Sequence, residues 1–314
     1  MKFERIITRT LSDGRRVRLF PFHLSFEGLE KAILCRDNED YDLAVKYLAL
    51  AAHRAGIIIV TYVVVSNHLH CVVLSRDMDS VLSFPGDYKK RYAMWLRRKY
   101  SESKVLQSCN VDVQYLDSDR YLRNAVAYDI RNALDNGAKN IANYKWSSFR
   151  AYFCSGKASV ETVSTATLSF REREITMHCA GRSVFNEWLL NGNGEIEPVS
   201  FCDWEYVEAA FAHDQAFFLR TIGAVNTSEM QEALVLSHRL KQTDMELYKT
   251  ANEKARAWYN QNISELSLGQ KAKMIPYIIH SNRTTVPQLA RCFGLSREYI
   301  SRLLHIPEKK PAGE

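Results

Sequence analysis

The sequence predicts an α+β protein: an antiparallel sheet with helices on one face, followed by an all-helical C-terminal region. Three observations carry that reading. Two β-branched, apolar runs flank Ser66-Asn67 between Gly56 and Asp77, which spells a β-hairpin. Segments with helical spacing precede and follow it. From residue 231 onward the pattern is helical alone.

Residues 16–26 alternate well enough for a first strand, with Pro21 favouring an edge or a bulge. From Asn38 to Ala55, residues Tyr41, Leu43, Ala44, Tyr47, Leu48, Ala51 and Ala52 recur at helical spacing. Asp37, Asn38 and Asp40 are candidate caps at its start, and Gly56 closes it. After the hairpin, Leu82 to Tyr100 is helical beyond Pro85 and Gly86. Tyr88, Tyr92 and Trp95 share one face of it, assigned to the core. Lys89, Lys90, Arg91, Arg97 and Arg98 are candidates for contacts to a phosphate backbone. Val111 to Leu116 is a short strand, and a helix runs from about Asp117-Ser118-Asp119 to Asn136-Gly137. Strand, helix, strand, strand, helix, strand, helix is close to the βαββαβ ferredoxin-like pattern.

Residues 153–230 read as a linker and a small helical region, with Ala158 to Ser169 as loop and Asn191-Gly192-Asn193-Gly194 as a turn. Residues 231–314 read as a helical DNA-binding domain with a helix-turn-helix at 285–304. Ala290 is small where two helices cross, Gly294 supplies the turn, and Ile300 packs the second helix on the first. Thr285 with Gln288 forms a capping box, and Ser296 caps the second helix. Arg297, Tyr299, Ser301 and Arg302, with Glu298, would face a major groove. A helical hairpin used only for packing is the competing assignment.

Composition narrows the class. The 314 residues are 46% hydrophobic and 25% charged, as in ordinary globular proteins. A net charge of +6 permits a nucleic-acid partner without demanding one. The seven cysteines include no CxxC pair, so neither a zinc ribbon nor a disulfide framework is indicated. No signal-peptide core and no membrane-length apolar run is present, so a soluble, cytoplasmic protein is expected. Neither a Walker A loop nor a GxGxxG occurs, which argues against a small-molecule substrate or nucleotide cofactor.

The chemistry concentrates in few residues. His68 and His70 are two apart, so both imidazoles fall on one face of a strand. They are either half of a metal site or a satisfied core pair. Tyr128 and Asn132, four apart, share a helix face. A phenol, with a pKa of about 10, attacks phosphorus only when aligned and when the phosphate charge is neutralised. A metal at the histidines supplies that neutralisation, and Asn132 can add its carboxamide oxygen. Tyr121 and Tyr115 are competing nucleophiles.

These motifs resemble those of the single-tyrosine HUH transposases, above all the REP-associated tyrosine transposases. That family's hairpin reads Tyr-Val-x-Met-Pro-Asn-His-x-His, against Tyr62-Val-Val-Val-Ser-Asn67-His68-Leu-His70 here. Its tyrosine helix reads Tyr-Ile-x-x-Asn-Pro-x-x-Ala-Gly, against Tyr128-Asp-Ile-Arg-Asn132-Ala-Leu-Asp-Asn-Gly137. A following Tyr-x-Trp-Ser-Ser-x-Arg-Ala-Tyr block matches Tyr144 to Tyr152. The resemblance covers residues 15–152, so 1–152 is expected to be the catalytic domain. Ser66 and Ala133 replace the family's prolines, and Asp129 stands where an apolar residue is common.

The resemblance implies metal-dependent nicking of single-stranded DNA at palindromic or hairpin sites. Tyr128 would form a 5′-phosphotyrosine and leave a 3′-OH for rejoining, with His68, His70 and Asn132 as metal ligands. It implies Mg2+ or Mn2+, whereas ligand preference alone admits zinc or manganese. Monomer and homodimer both stay open. The alternatives are a DNA-binding regulator derived from a transposase that no longer cuts, and a zinc-dependent RNA-processing enzyme.

Overall fold

Alternation along Arg16–Glu27 builds the strand on which the sheet is centred, β2. The computed structural model describes residues 5–10, 14–27, 32–102, 105–135, 137–153, 161–181, 184–185, 187–224, 244–281 and 284–304. On one side β2 pairs antiparallel with β1 (Ile7–Thr10) through its first half and β5 (Asn110–Tyr115) through its second. On the other side it pairs with β4 (Leu69–Ser75), which pairs with β3 (Ile58–Val64). With α1 (Asn38–Ala55) and α2 (Met78–Tyr100), β2 to β5 form the expected βαββαβ unit, and β1 is an addition. Pro21 falls where β1 has ended and β5 begins, and its carbonyl accepts Leu116 N at 3.0 Å on that edge. Its missing N–H therefore interrupts no ladder bond to β4.

The caps are local chemistry. Asp37 accepts the Asp40 amide at the start of α1, and Gly56 closes the helix at φ 66°. Asp77 caps α2, which begins at Met78 and continues through Pro85 and Gly86 instead of starting beyond them. The Tyr88 and Tyr92 rings are buried in the core as expected.

Helices α1 and α2 cover one face of the sheet, over Phe22, Leu24, Cys71 and Val73. The expectation of helices on one face holds for these two, while α3 (Asp119–Asp135) covers the opposite face, over Leu19, Val60, Val72 and Leu74. The reason lies in β4, whose residues are all buried: a strand apolar on both faces requires a layer on each.

The segment read as linker and helices also holds a two-stranded sheet, β6 (Thr162–Ser164) with β7 (Leu189–Asn191). With α4 (Phe170–Met177), α5 (Trp204–Ala210) and α6 (Gln215–Ala224), it is built into the cores. Met177, Trp188 and Leu190 join the α1–α2 core, and Val207, Phe211, Phe218 and Ile222 join the α3 core. The boundary expected between residues 230 and 231 lies outside the described residues.

Among the described residues, α7 (Asp244–Tyr259), α8 (Leu268–Ser281), α9 (Val286–Phe293) and α10 (Arg297–Leu303) follow. Their core of Leu247, Ala251, Ile275, Leu289, Phe293 and Ile300 also takes in Ile33. The Thr285–Gln288 capping box, the left-handed Gly294 (φ 63°) and the Ser296 cap all form. Ala290 and Ile300 are fully buried between the helices. Among the described residues, no helix is long and apolar enough to cross a membrane.

Candidate active site

Strand alternation puts His23 and Ser25 of β2 beside His70 of β4, and the register sets Ser25 directly opposite His70. This is the face that α3 covers. A turn across Ser66-Asn67, closed by Val65 N to His68 O at 3.0 Å, delivers His68 to the same cleft. Helix α3 then lowers Tyr128, Asp129 and Asn132 onto these side chains.

The sequence-predicted group comes together. His68 Nε2 lies 3.0 Å from Asn132 Oδ1, and His68 Nδ1 lies 2.8 Å from Asn67 Oδ1. Each ring nitrogen of His68 thus meets a carboxamide oxygen, and the tautomer sets which of the two accepts its proton. The His68 and His70 rings meet edge to face at 4.9 Å, and the Tyr128 ring stands edge-on to His70 at 5.2 Å and to His23 at 6.1 Å. Tyr128 is 38% exposed over this buried group. The competing tyrosines are engaged elsewhere. Tyr121 donates to Gln114 Oε1, and Tyr115 bonds the Arg5 backbone through both its acceptor and its donor.

Two members escaped the sequence reading. His23 Nε2 lies 2.9 Å from Asp129 Oδ1, and the donor atoms of His23, His70 and Asp129 all fall within 4.8 Å of one another. Asp129 is fully buried, and its Oδ2 has no hydrogen-bond partner. Burial raises its carboxyl above the ordinary range, against the opposing pull of His23. Burial, reinforced by His68 and His23, lowers His70 from 6.5 to about 2, so its ring is neutral. Ser25 Oγ sits 3.0 Å from His70 Nδ1 and fixes the ring so that Nε2 faces the cleft. The neutral His70 ring, the neighbouring His68 and His23 rings, a carboxamide and a buried carboxyl with an unsatisfied oxygen form a donor set that fits a divalent cation.

The expected DNA contacts do not gather here. Helix α2 lies across the sheet from Tyr128; on it Lys89 donates to the Cys109 carbonyl at 3.0 Å and Arg91 pairs with Asp87 at 3.0 Å. Lys90, Arg97 and Arg98 are exposed there, on the far face. Arg297 and Arg302 are exposed on α10, with Tyr299 and Ser301 half-buried.

The Trp146-Ser147-Ser148 block plays a different part: it covers the free edge of β3. Val64 N donates to Trp146 O at 2.9 Å, and Ser148 Oγ accepts Tyr62 N at 3.0 Å. Tyr152 donates to Val60 O at 2.7 Å, where the register of β3 slips by one residue. Trp146 stacks on Tyr41 at 5.3 Å.

No protein-family model matches the chain, and no curated protein matches it. A solved structure of a REP-associated tyrosine transposase bound to a REP hairpin is similar to it. That similarity has 16% identity and a TM-score of 0.34, over 42% of this chain and 76% of the other.

Proposed function

We propose that this protein is a metal-dependent DNA endonuclease and strand transferase that works on single-stranded or hairpin DNA through Tyr128. The observation that carries the reading is the half-exposed Tyr128 ring standing over His70, with Asn132 one turn later bonded to His68. The candidate nucleophile and a polar cluster suited to a cation thus share one cleft, which Tyr121 and Tyr115 do not line.

His68, His70 and Asn132 would hold Mg2+ or Mn2+, with the Asp129 carboxylate and His23 alongside. When bound, the ion neutralises phosphate charge. The Tyr128 oxygen attacks phosphorus and loses its proton to water. The bond from phosphorus to the 3′ oxygen breaks, and that oxygen takes the electron pair and a proton to become the 3′-OH. The 5′ end stays on Tyr128 as a phosphodiester, so a later attack by a 3′-OH regenerates the phenol and rejoins the strand. Fixed side chains around the phosphate supply alignment. Arg297, Tyr299, Ser301 and Arg302 on α10 would hold duplex DNA, and Lys90, Arg97 and Arg98 would add phosphate contacts on the far face.

The test is a covalent adduct. Wild type incubated with labelled hairpin DNA and Mn2+ gives a DNA-linked band on a denaturing gel, and Tyr128→Phe gives none. A band that survives in Tyr128→Phe moves the nucleophile elsewhere. No band with any divalent ion favours a regulator that binds DNA without cutting.

A further inference from the structure

The turn that carries His68 is anchored from outside the sheet. The Ser66 carbonyl accepts Leu34 N at 2.7 Å and Cys35 N at 3.0 Å, and the Ser66 hydroxyl donates to the Asp244 carboxylate. Asp244 opens α7 and is 1% exposed. It also receives Arg291 of α9 in a two-pronged contact, Nε to Oδ2 at 2.5 Å and Nη2 to Oδ1 at 2.9 Å. From Ser66 the chain passes to Asn67, whose carboxamide holds the His68 ring. One buried carboxylate therefore joins the first helix of the helix-turn-helix to the histidine turn.

Packing alone does not call for this. Helices α7 and α9 already share an apolar core with Leu247, Leu289 and Phe293, and a buried ion pair adds little net stability over apolar residues of the same volume. What it adds is directional: a planar fork on one side, a single hydroxyl on the other, and a fixed distance between them. A proline at 66, usual in the motif that this turn resembles, has no hydroxyl to offer.

We propose that Asp244 is a positioning residue that fixes the Ser66-Asn67 turn, and through it His68, and that this depends on α9 being docked through Arg291. The helix-turn-helix thereby sets the geometry of the cleft as well as holding DNA. This rests on the reading of His68 as part of the working site.

The experiment uses the full chain, with two readouts: the NMR signals of the His68 ring, and binding of Mn2+ alone. Ser66→Ala removes one hydroxyl and no charge. It shifts the His68 signals, leaves those of His53 in place, and weakens Mn2+ binding about tenfold, as losing a partner of a ligating side chain does. Arg291→Ala does the same, and Arg291→Lys, which keeps the charge, restores part of the loss. Should Asp244→Asn fail to fold, Ser66→Ala decides. Unchanged His68 signals in folded Ser66→Ala and Arg291→Ala overturn the proposal. A wild type that binds no Mn2+ overturns the metal reading, and the His68 signals then still decide this inference separately.

Discussion

The stretches that carry the family resemblance do opposite things in the fold. In the Tyr144–Tyr152 block, hydroxyls and amides are matched: Tyr144 donates to Val64 O at 2.6 Å, Ser148 meets Thr61 at 2.8 Å, and Tyr152 caps the bulged Val60. Ser147 and Ser148 are fully buried. In the cleft between β4 and α3, a half-exposed tyrosine stands over a buried carboxylate with an unsatisfied oxygen. Buried polar groups are normally paired, so the unpaired oxygen is what the proposed cation would satisfy. Equal strength as a sequence signal does not mean an equal role. The block is a brace for β3, and the cleft holds the groups to which the proposed chemistry is assigned.

The sharpest way to break that contrast is to exchange the effects. Tyr128→Phe removes the DNA adduct entirely and leaves the thermal unfolding midpoint within about 2 °C, since the ring packed on His70 and His23 is kept. His70→Ala removes measurable Mn2+ binding by calorimetry. A His70→Ala protein that binds Mn2+ as wild type does would move the metal off this strand.

The brace behaves the other way. Ser148→Ala leaves the Tyr62 amide without its acceptor and lowers stability to urea by about 1–3 kcal/mol, the desolvation cost of a buried group left unpaired. Mn2+ affinity stays as in wild type. Loss of metal affinity with stability intact would give the block a role in the site and erase the distinction.

Much of this was legible in the sequence because it is local. The hairpin, the caps at Asp37 and Ser296, the left-handed Gly294 and the shared face of Tyr128 and Asn132 each follow from a few neighbouring residues. His23 and Asp129 were not, because their meaning is set by contact between elements. His23 gains a role only from the β2–β4 register, and Asp129 only from how α3 lies on that sheet. Asp129 looked like a mere departure from an apolar position. A charged residue in a buried helix position, facing a strand with a polar His-x-Ser alternation, was the available signal. The Asp244 link spans 178 residues from Ser66, and no short-range pattern reports it.

The smallest expected effect separates the two regions by pH. His70 is held near 2 in the fold and titrates near 6.5 in the unfolded chain. Between those values the unfolded state binds the extra proton, so stability falls as pH drops below about 6.5. One such group contributes a slope of at most about 1.4 kcal/mol per pH unit. Asp129, whose carboxyl burial raises, acts in the opposite sense: the fold keeps its proton longer, and that contribution is lost as pH rises. It is present in both proteins compared, so the difference between their curves reports His70. Urea unfolding followed from about pH 7 to about pH 5 should therefore be flatter in His70→Gln than in wild type. Ser148→Ala should shift the whole curve down with its slope unchanged, because the brace has no group that titrates in that window. Parallel curves for wild type and His70→Gln would mean that the cleft is wet enough to protonate His70 in place, and its geometry would then be that of an open surface.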